Sequence, residues 1–447
     1  MTAGSLTGAH GPGSDDQPDE PPPATPAPVP ATAPVSAARP PASRPAPRPK
    51  ARRRRRPVRR TLIVTHRWLS LILGLVLVLI TTSGAILVYA PEIQRWLNSE
   101  AYAAAGGPAT VTLGQAQATV AAAHPDFAPT AVIAENGVLR VTDFERSFTV
   151  DPATGALLGE VAPEPTWLAW TANLHECLLT CENEPGYVEA LTAEVPGTGW
   201  LGYEGAPITV GALILGLLGL VLLFLAVSGL WLWWPRPSRL KASLTVRRGK
   251  GRFARDTDLH KVIGMISLPL LLIWGLTGAG FELTPVETVW NALTPGTPVE
   301  APEVVSAEGE GADVGVDAAA NAALALVPAA GLAAVVLPDA DDPTATYTVW
   351  LADGIDPYEL TDFPGDLSVA VDRRTAQATL TSGGPDEPLS QHLWQMWNFP
   401  VHAGFVVNGW WRSIWFVLGL APLALAITGV STWLVRRRTR RNRKARA

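Results

Sequence analysis

The chain has 447 residues, of which 47% are hydrophobic, and its mean hydropathy is positive. That length allows two or three domains, and that composition is high in apolar residues for a soluble protein. The formal net charge of -5 averages basic and acidic segments, so it identifies no partner, and nothing in it favours nucleic acid.

The first segment of the chain has the composition of a disordered tail. Residues 1–49 are mainly Pro, Ala, Gly, Ser and acidic residues with almost no aromatics. Such a segment cannot bury a core, so we predict a disordered cytoplasmic tail that continues through an arginine-rich run to residue 60. The apolar run after residue 60 is too long for a signal peptide and lacks a small-residue cleavage site, which indicates a membrane span.

Four apolar runs are each long enough, at about 1.5 Å per residue, to cross a hydrocarbon core of about 30 Å. They are Leu62–Ala90, Ile208–Trp234, Leu259–Leu283 and Trp411–Val435. Arg and Lys cluster before the first run, between the second and third, and after the fourth, whereas the two long remaining segments are acidic. The positive-inside rule therefore predicts cytoplasmic termini, a cytoplasmic middle loop and acidic segments outside.

Each outer segment predicts one small α+β module. The first should contain a helix and three strands that end at a turn: Val111–Ala123, Ala131–Ile133, Val138–Thr142, Ser147–Val150 and Asp151–Gly155. The second should contain the same elements in the same order: Asp317–Leu326, Ala333–Leu337, Thr346–Leu351, Leu367–Val371 and Asp372–Thr375. The two halves thus predict a parallel repeat about an axis along the membrane normal.

Histidines occur at matched positions in the two halves. His66 and His260 each lie seventeen residues before a hydroxyl–glycine pair, in the first and third runs. His175 and His402 each end a Trp-x2-Trp-x4-His pattern before the second and fourth runs; the tryptophans are Trp167, Trp170, Trp394 and Trp397. A histidine therefore opens or precedes each of the four spans.

All four spans also carry a small hydroxyl residue followed by glycine. These pairs are Ser83-Gly84, Ser228-Gly229, Thr277-Gly278 and Thr428-Gly429. Small residues in membrane helices allow backbones to approach closely, which is one interpretation. The other is that they admit a flat, bulky ligand between the helices.

The topology sorts the histidines into one pair for each membrane face. His66 and His260 enter from the cytoplasmic side, and His175 and His402 stand at the outer end. Two facing imidazoles can hold a haem iron axially, so the pattern indicates two haems, one near each face. No Cys-x-x-Cys-His motif occurs, so the haem would be the non-covalent b type.

Other interpretations of these histidines stay open. They could be structural residues that form hydrogen bonds at helix ends. Zinc or iron bound directly is disfavoured because no carboxylate or thiol recurs beside them in both halves. His392 could replace His402 at the outer face, although it has no equivalent in the first half.

The two cysteines of the chain, Cys177 and Cys181, fall on the predicted outer side, where a local disulfide is the expected state. A redox-active or metal-binding pair beside His175 is the alternative. They begin an apparent insertion of about twenty-seven residues, Cys177–Gly202, because Ser228 lies fifty-three residues after His175 whereas Thr428 lies twenty-six after His402.

Residues 61–436 resemble the PepSY-associated transmembrane family. The resemblance lies in the histidines, in the hydroxyl–glycine pairs and in the two outer modules with their Asp-x-x-Thr turns. Members of this family include inner-membrane di-haem proteins that reduce ferric siderophores, and others known only as iron-regulated membrane proteins. The resemblance implies that His66, His260, His175 and His402 are the ligands of two b-type haems. The Cys177–Gly202 insertion departs from the usual pattern.

Two functions follow as hypotheses. The first is a reductase in a bacterial inner membrane that passes electrons from a cytoplasmic or quinol donor to an outer acceptor, such as a ferric siderophore or another ferric chelate. The second is a non-enzymatic membrane protein whose PepSY modules bind or inhibit a peptidase or another envelope partner.

The predicted domain boundaries follow from these segments. In chain order they are a cytoplasmic tail at 1–60, a span at 61–90, an outer module at 91–206, a span at 207–234, a basic loop at 235–258, a span at 259–284, an outer module at 285–409, a span at 410–435 and a basic tail at 436–447.

Overall fold

A computed structural model of the chain describes residues 57–235, 237–307, 312–354, 365–406 and 409–446. The predicted disordered segment, residues 1–49, lies outside these ranges. The first helix begins at Pro57, before the predicted tail boundary at residue 60. Proline suits this place because the first helical residue needs no hydrogen-bonded N–H.

Fourteen α-helices occur within the described residues. In chain order, α1 to α7 are Pro57–Ile72, Gly74–Leu87, Ala90–Leu97, Leu113–Ala123, Thr166–Glu176, Val210–Trp233 and Leu240–Ser243. Helices α8 to α14 are Arg252–Gly280, Thr284–Leu293, Val316–Leu326, Leu389–Gln395, Asn398–Ala403, Arg412–Gly419 and Ala421–Ala445.

Eight β-strands are described in the same ranges. Strands β1 to β4 are Ala131–Glu135, Val138–Thr142, Ser147–Val150 and Leu157–Glu160. Strands β5 to β8 are Gly331–Val336, Tyr347–Ala352, Leu367–Val371 and Ala378–Ser382. The sequence patterns predicted six of them, and missed β4 and β8, which follow the two Asp turns.

Three stretches of helix are long and apolar enough to cross a membrane: α6, α8 and the run from Arg412 to Ala445 that α13 and α14 form. Helices α1 and α2 pass the same test only together, because the chain bends by 64° between them. The predicted first span is therefore two helices that meet at Leu73. If that bent pair is one span, the structure has the four that the sequence predicts.

The long helices pack closely where small residues face them. A Cβ atom at Gly219 of α6 would lie 2.5 Å from the backbone nitrogen of Ala279 in α8, and one at Gly275 would lie 2.7 Å from that of Leu223. Side chains at these two positions would force the helices apart. Glycine thus holds α6 and α8 at a separation set by their backbones.

The strands of both outer segments form one antiparallel sheet, in the order β4-β3-β2-β1-β5-β6-β7-β8. The sequence predicts two modules, and each indeed supplies one helix and one half of the strands. The halves are joined at the centre, where β1 pairs with β5 through Ala131–Val336, Val132–Val335 and Ile133–Ala334. One continuous apolar core, which includes Val120, Phe148, Val349 and Val371, lies between the sheet and helices α4 and α10.

The Asp turn recurs in both halves with the same bonds. Asp151 accepts hydrogen bonds from the backbone N–H groups of Ala105, Ala153 and Thr154, at 2.9, 2.7 and 3.3 Å. Asp372 accepts them from Ala307, Arg374 and Thr375, at 2.7, 2.7 and 2.8 Å. Each aspartate therefore ties its turn to the loop that precedes its module's helix.

The insertion Cys177–Gly202 contacts helices of both halves of the chain. Its last residues bind the start of α9, where Thr284 donates from its N–H to Leu201 O and from its hydroxyl to Gly202 O, at 3.0 and 2.8 Å. Just after it, the hydroxyl of Tyr203 donates to Gly280 O at the end of α8, at 2.5 Å. The insertion thus links the first half of the chain to the second.

Candidate functional site

Each of the four matched histidines contacts a hydroxyl–glycine pair in the same half of the chain. The histidine and the pair belong to different helices of that half. In the first half, His66 Nδ1 lies 2.8 Å from Ser228 Oγ, and His175 Nδ1 lies 3.4 Å from Ser83 Oγ. In the second half, His260 Nδ1 lies 3.0 Å from Thr428 Oγ1, and His402 Nδ1 lies 2.7 Å from Thr277 Oγ1. The repeat predicted from spacing is thus a repeat of contacts.

These contacts determine which ring nitrogen carries the proton. His175 Nδ1 also lies 2.8 Å from Ile80 O, and His260 Nδ1 lies 3.1 Å from Leu425 O. A carbonyl oxygen can only accept, so Nδ1 is the donor in both rings. The Thr277 hydroxyl donates to Ile273 O at 2.8 Å, and the Ser228 hydroxyl donates to Leu225 O at 3.3 Å, so these two accept from their histidines.

The same tautomer therefore fits all four histidines. With its proton on Nδ1, a neutral imidazole has its lone pair on Nε2. A hydrogen bond from one ring nitrogen orients the ring and raises the basicity of the other, which is the usual arrangement of a metal-bound histidine. In each of the four rings Nε2 is thus the nitrogen with an available lone pair.

The glycine after each hydroxyl faces the ring of the same histidine. A Cβ atom at Gly84 would overlap the ring of His175. At Gly229, Gly278 and Gly429 it would come within 3.5, 3.8 and 3.6 Å of the Cε1 atoms of the histidines beside them. The hydroxyl–glycine pairs were interpreted from sequence as contacts between helices or with a flat ligand, and the structure places a histidine ring at each of them.

The outer pair is formed by two short helices that precede the spans. His175 lies near the end of α5, and His402 lies near the end of α12. Their ring centres are 6.1 Å apart, and the ring planes are inclined by 46°. Burial, together with the neighbouring His175, lowers the pKa of His402 to about 3, so this ring is neutral at physiological pH.

Aromatic side chains fix helix α12, which carries His402. The indole N–H groups of Trp274 and Trp415 donate to the carbonyl oxygens of His402 and Val401, at 3.0 and 3.1 Å. The ring of Phe281 lies edge-on to that of His402, with centres 5.2 Å apart. Tryptophan donors at two successive carbonyl groups hold this helix end in one position.

The inner pair lies on the membrane helices themselves. His66 is in α1 and bonds to α6, whereas His260 is in α8 and bonds to α14. The two imidazoles are near enough to interact electrostatically. The structure therefore places His175 beside His402, and His66 within electrostatic range of His260.

The separation of the outer pair fits one metal ion between two rings. Two metal–imidazole bonds of about 2.0–2.1 Å on opposite sides of an ion, with the distance from each nitrogen to its ring centre, add up to about 6 Å. Within the described residues no group of three or more His, Cys, Asp or Glu side chains could hold a metal ion. Two histidines would provide only two ligands of a metal ion, so another group would have to provide the remaining ligands. A porphyrin would provide four nitrogen ligands.

The remaining residues noted in the sequence lie elsewhere. His392 is in α11, and its Nδ1 lies 4.0 Å from Glu387 Oε2. It belongs to neither pair, so among the described residues His402 is the one that faces His175. Cys177 and Cys181 form a disulfide at the end of α5.

One site residue had no signal in the sequence patterns used above. Arg412, at the start of α13, is 2% exposed and forms an ion pair with Glu92 of α3, with Nη2 3.1 Å from Oε2. Its guanidinium also lies over the ring of Tyr89. Only the structure shows that its partner lies in the other half of the chain.

Comparison with known protein families gives a match. No curated protein is similar enough in sequence to be matched. The family described as the PepSY-associated TM region matches residues 63–436, which include all four histidines and both halves of the sheet. The chain is therefore a membrane protein of the PepSY-associated TM region family.

Proposed function

We propose that the protein is a b-type di-haem electron carrier of a bacterial cytoplasmic membrane, with four spans in two parallel repeats and both termini in the cytoplasm. His66 and His260 would hold the haem near the inner face. His175 and His402 would hold the other near the outer face. The observation that carries this proposal is the contact that each of the four Nδ1 atoms makes with an oxygen acceptor, which leaves Nε2 of each ring as the nitrogen available to a metal.

The residues of the chain have separate tasks in this proposal. A bound haem supplies reversible one-electron chemistry at its iron, with a potential that depends on ligands, burial and hydrogen bonds. Ser228, Ser83, Thr428 and Thr277 orient the four rings and fix their tautomer. The glycines leave room for those rings, and the long helices exclude water from the space between the two pairs.

The direction of electron transfer follows from the proposed topology. We propose that the donor is another molecule, either a cytoplasmic reductant or a quinol, since the segments proposed to be cytoplasmic show no dinucleotide-binding fingerprint. His175 and His402 lie on α5 and α12, short helices that follow the strands of each half and are proposed to lie near the outer face. We propose a ferric siderophore or another ferric chelate as the acceptor there.

The test is the haem content of the detergent-purified protein, measured by pyridine haemochrome assay with a reduced-minus-oxidised spectrum. We expect about two b-type haems in the wild type. We expect about one in His260→Ala and about one in His402→Ala, because each variant loses one ligand pair. His392→Ala is the matched control, since this outer histidine belongs to neither pair, and should keep both haems.

Two results would overturn the proposal. A wild-type protein that contains no haem after expression with ample haem would exclude the electron carrier. It would leave the second hypothesis, in which the outer modules bind an envelope partner. A loss in His392→Ala equal to that in His402→Ala would show that the histidines act through folding and not as ligands.

A further inference from the structure

The Cys177–Cys181 disulfide closes the end of helix α5, two residues after His175. The equivalent place in the second half, two residues after His402, is Gly404. Apart from the insertion that begins at Cys177, the two halves repeat each other, so this comparison indicates what the disulfide replaces.

Glycine ends α12 in the second half in the usual way. Gly404 has a left-handed backbone, with φ of +89°, and donates its N–H to Pro400 O at 2.9 Å. Phe405 N–H then donates to the same carbonyl at 3.2 Å. Glycine adopts this backbone without steric cost, so α12 ends stably by itself.

Helix α5 ends without a glycine. Cys177 N–H donates to Asn173 O at 3.2 Å, and Leu179 N–H donates to the same carbonyl at 2.9 Å. Leu178 and Leu179 both have left-handed backbones, with φ of +49° and +66°. Residues with a side chain rarely adopt this conformation, and two in succession need an outside constraint. Both leucines lie inside the loop that the disulfide closes.

Asn173 connects this loop to the helix that carries His175. Its side chain is buried, accepts from Cys181 N–H at 3.2 Å and donates to Pro185 O at 3.2 Å. The bond to Cys181 requires the two ends of the loop to stay together. Asn173 is one half-turn before His175 on the same short helix, so loosening the loop loosens the helix at the ligand.

The loop also sets the position of α5 against the second span. A Cβ atom at Gly211, in the first turn of α6, would lie 2.5 Å from the methyl carbon of Thr180 and 3.4 Å from Cys177 O. Thr180, in turn, donates its hydroxyl to Cys177 O at 2.7 Å. The loop is therefore packed on α6 at backbone distance.

We propose that the Cys177–Cys181 disulfide is a redox switch on the outer histidine pair; this inference rests on the proposed function. The oxidised form holds His175 against His402. An external dithiol exchanges with the disulfide: the Cys177–Cys181 bond breaks, a disulfide forms in the reductant, and two protons pass to the cysteines. The freed loop relaxes, the end of α5 unwinds, and the outer pair is lost while the inner pair stays intact.

The test compares hydrogen exchange in the purified full-length protein, prepared without haem, before and after treatment with dithiothreitol. Mass after alkylation shows whether both thiols have formed. We expect the amides of residues 166–181 to exchange several-fold faster in the reduced protein. Residues 389–403, the equivalent helices without a disulfide, should be unchanged. A Cys177→Ala/Cys181→Ala variant should resemble the reduced protein and not respond to dithiothreitol.

The same treatment of the haem-loaded protein should remove or shift the spectrum of one centre and leave the other. Unchanged exchange over 166–181 when both thiols are alkylated would overturn the switch, as would failure of dithiothreitol to reduce the disulfide. These outcomes concern the wild type, so they hold even if the double variant does not fold. If the wild type contains no haem but helix α5 still exchanges faster after reduction, the proposed function is overturned. The effect of the disulfide on α5 then stands by itself.

Discussion

Thr277 Oγ1 and His402 Nδ1, which lie 125 residues apart in the sequence, are 2.7 Å apart in the structure. The threonine hydroxyl donates to Ile273 O and therefore accepts from the histidine. One side chain of the third span thus fixes both the orientation and the tautomer of a histidine that precedes the fourth.

Replacing Thr277 by valine should weaken haem binding at the outer pair. Valine keeps the shape of threonine but removes the acceptor for His402 Nδ1. Loss of such a partner typically lowers metal affinity by about 10–100-fold. The midpoint potential of one haem, measured by redox titration, should also shift, and Thr277→Ser should restore it. Thr432→Val, which removes a hydroxyl bonded only within its own helix, is the control. An equal effect in that control would contradict the assignment.

Adding one methyl group at Gly84 should displace the ring of His175. The Gly84→Ala variant is expected to bind about one haem in place of two, because the added Cβ would overlap the ring. Gly74→Ala is the matched control in the same helix, since none of the described residues comes within 4 Å of a Cβ there. Both variants are compared by haem content per protein. Two haems in Gly84→Ala would show that the ring is not held at this glycine.

Removing the charge of Glu92 should destabilise the protein, because Arg412 is only 2% exposed and would keep an unpaired charge. We expect Glu92→Gln to cost about 3 kcal/mol of unfolding free energy, at the low end of the range for buried pairs because Glu92 is partly exposed. Glu92→Gln with Arg412→Met should recover most of that loss.

The ion pair Arg146–Glu160 is the control for the pair of Glu92 and Arg412, because 41% and 47% of its two side chains are exposed. Glu160→Gln should cost no more than about 1 kcal/mol. Equilibrium unfolding in detergent measures all three variants. A double variant less stable than Glu92→Gln would mean that Arg412 stabilises the outer end by contacts other than this ion pair.

The stability of the outer sheet should fall in acid. The backbone N–H groups of Ala105 and Ala153 hold the pKa of Asp151 below its ordinary value. The ionised Asp151 side chain therefore makes its full contribution to stability above the unfolded pKa of about 3.9. That contribution is lost as the pH falls through the lower pKa of the folded protein. Thermal unfolding followed from neutral pH down through this range should show a steeper loss for the wild type than for Asp151→Asn. The exposed Asp126→Asn should behave as the wild type.

The acidic outer segments should select among acceptors by charge. A negative surface raises the local concentration of cations and lowers that of anions, and salt screens the effect. Cationic or neutral ferric chelates should therefore be reduced faster than anionic ones at low ionic strength. The difference should shrink as salt is added. Equal rates for both, unaffected by salt, would exclude this field effect.

Periodicity and turn chemistry were sufficient to predict most of the secondary structure. The strand predicted at Val138–Thr142 and the helix predicted at Asp317–Leu326 agree with the structure to within one residue. Strand β4 was missed because Leu157–Glu160 contains glycine and no alternating apolar pattern. The bend between α1 and α2 was missed as well, since the apolar run continues through it without proline.

The candidate site could be predicted only in part. Equal spacings indicated which histidines are equivalent, and topology predicted the pairing of His175 with His402, whose ring centres lie 6.1 Å apart. The partner of each Nδ1 could not be predicted, because Ser83 and His175 are joined by packing between helices and not by any spacing in the sequence. The same reason explains why Arg412 and Glu92 were not linked.

The β1–β5 ladder also bears on how the two halves can move. Membrane proteins built from repeats often transport solutes by rocking one repeat against the other. Here such a motion would break the central hydrogen bonds of the sheet, including that from Leu337 N–H to Thr130 O at 2.8 Å. The sheet therefore makes the outer parts of both halves one rigid frame. A frame of this kind suits the passage of charge between fixed sites and opposes the passage of a molecule through the membrane.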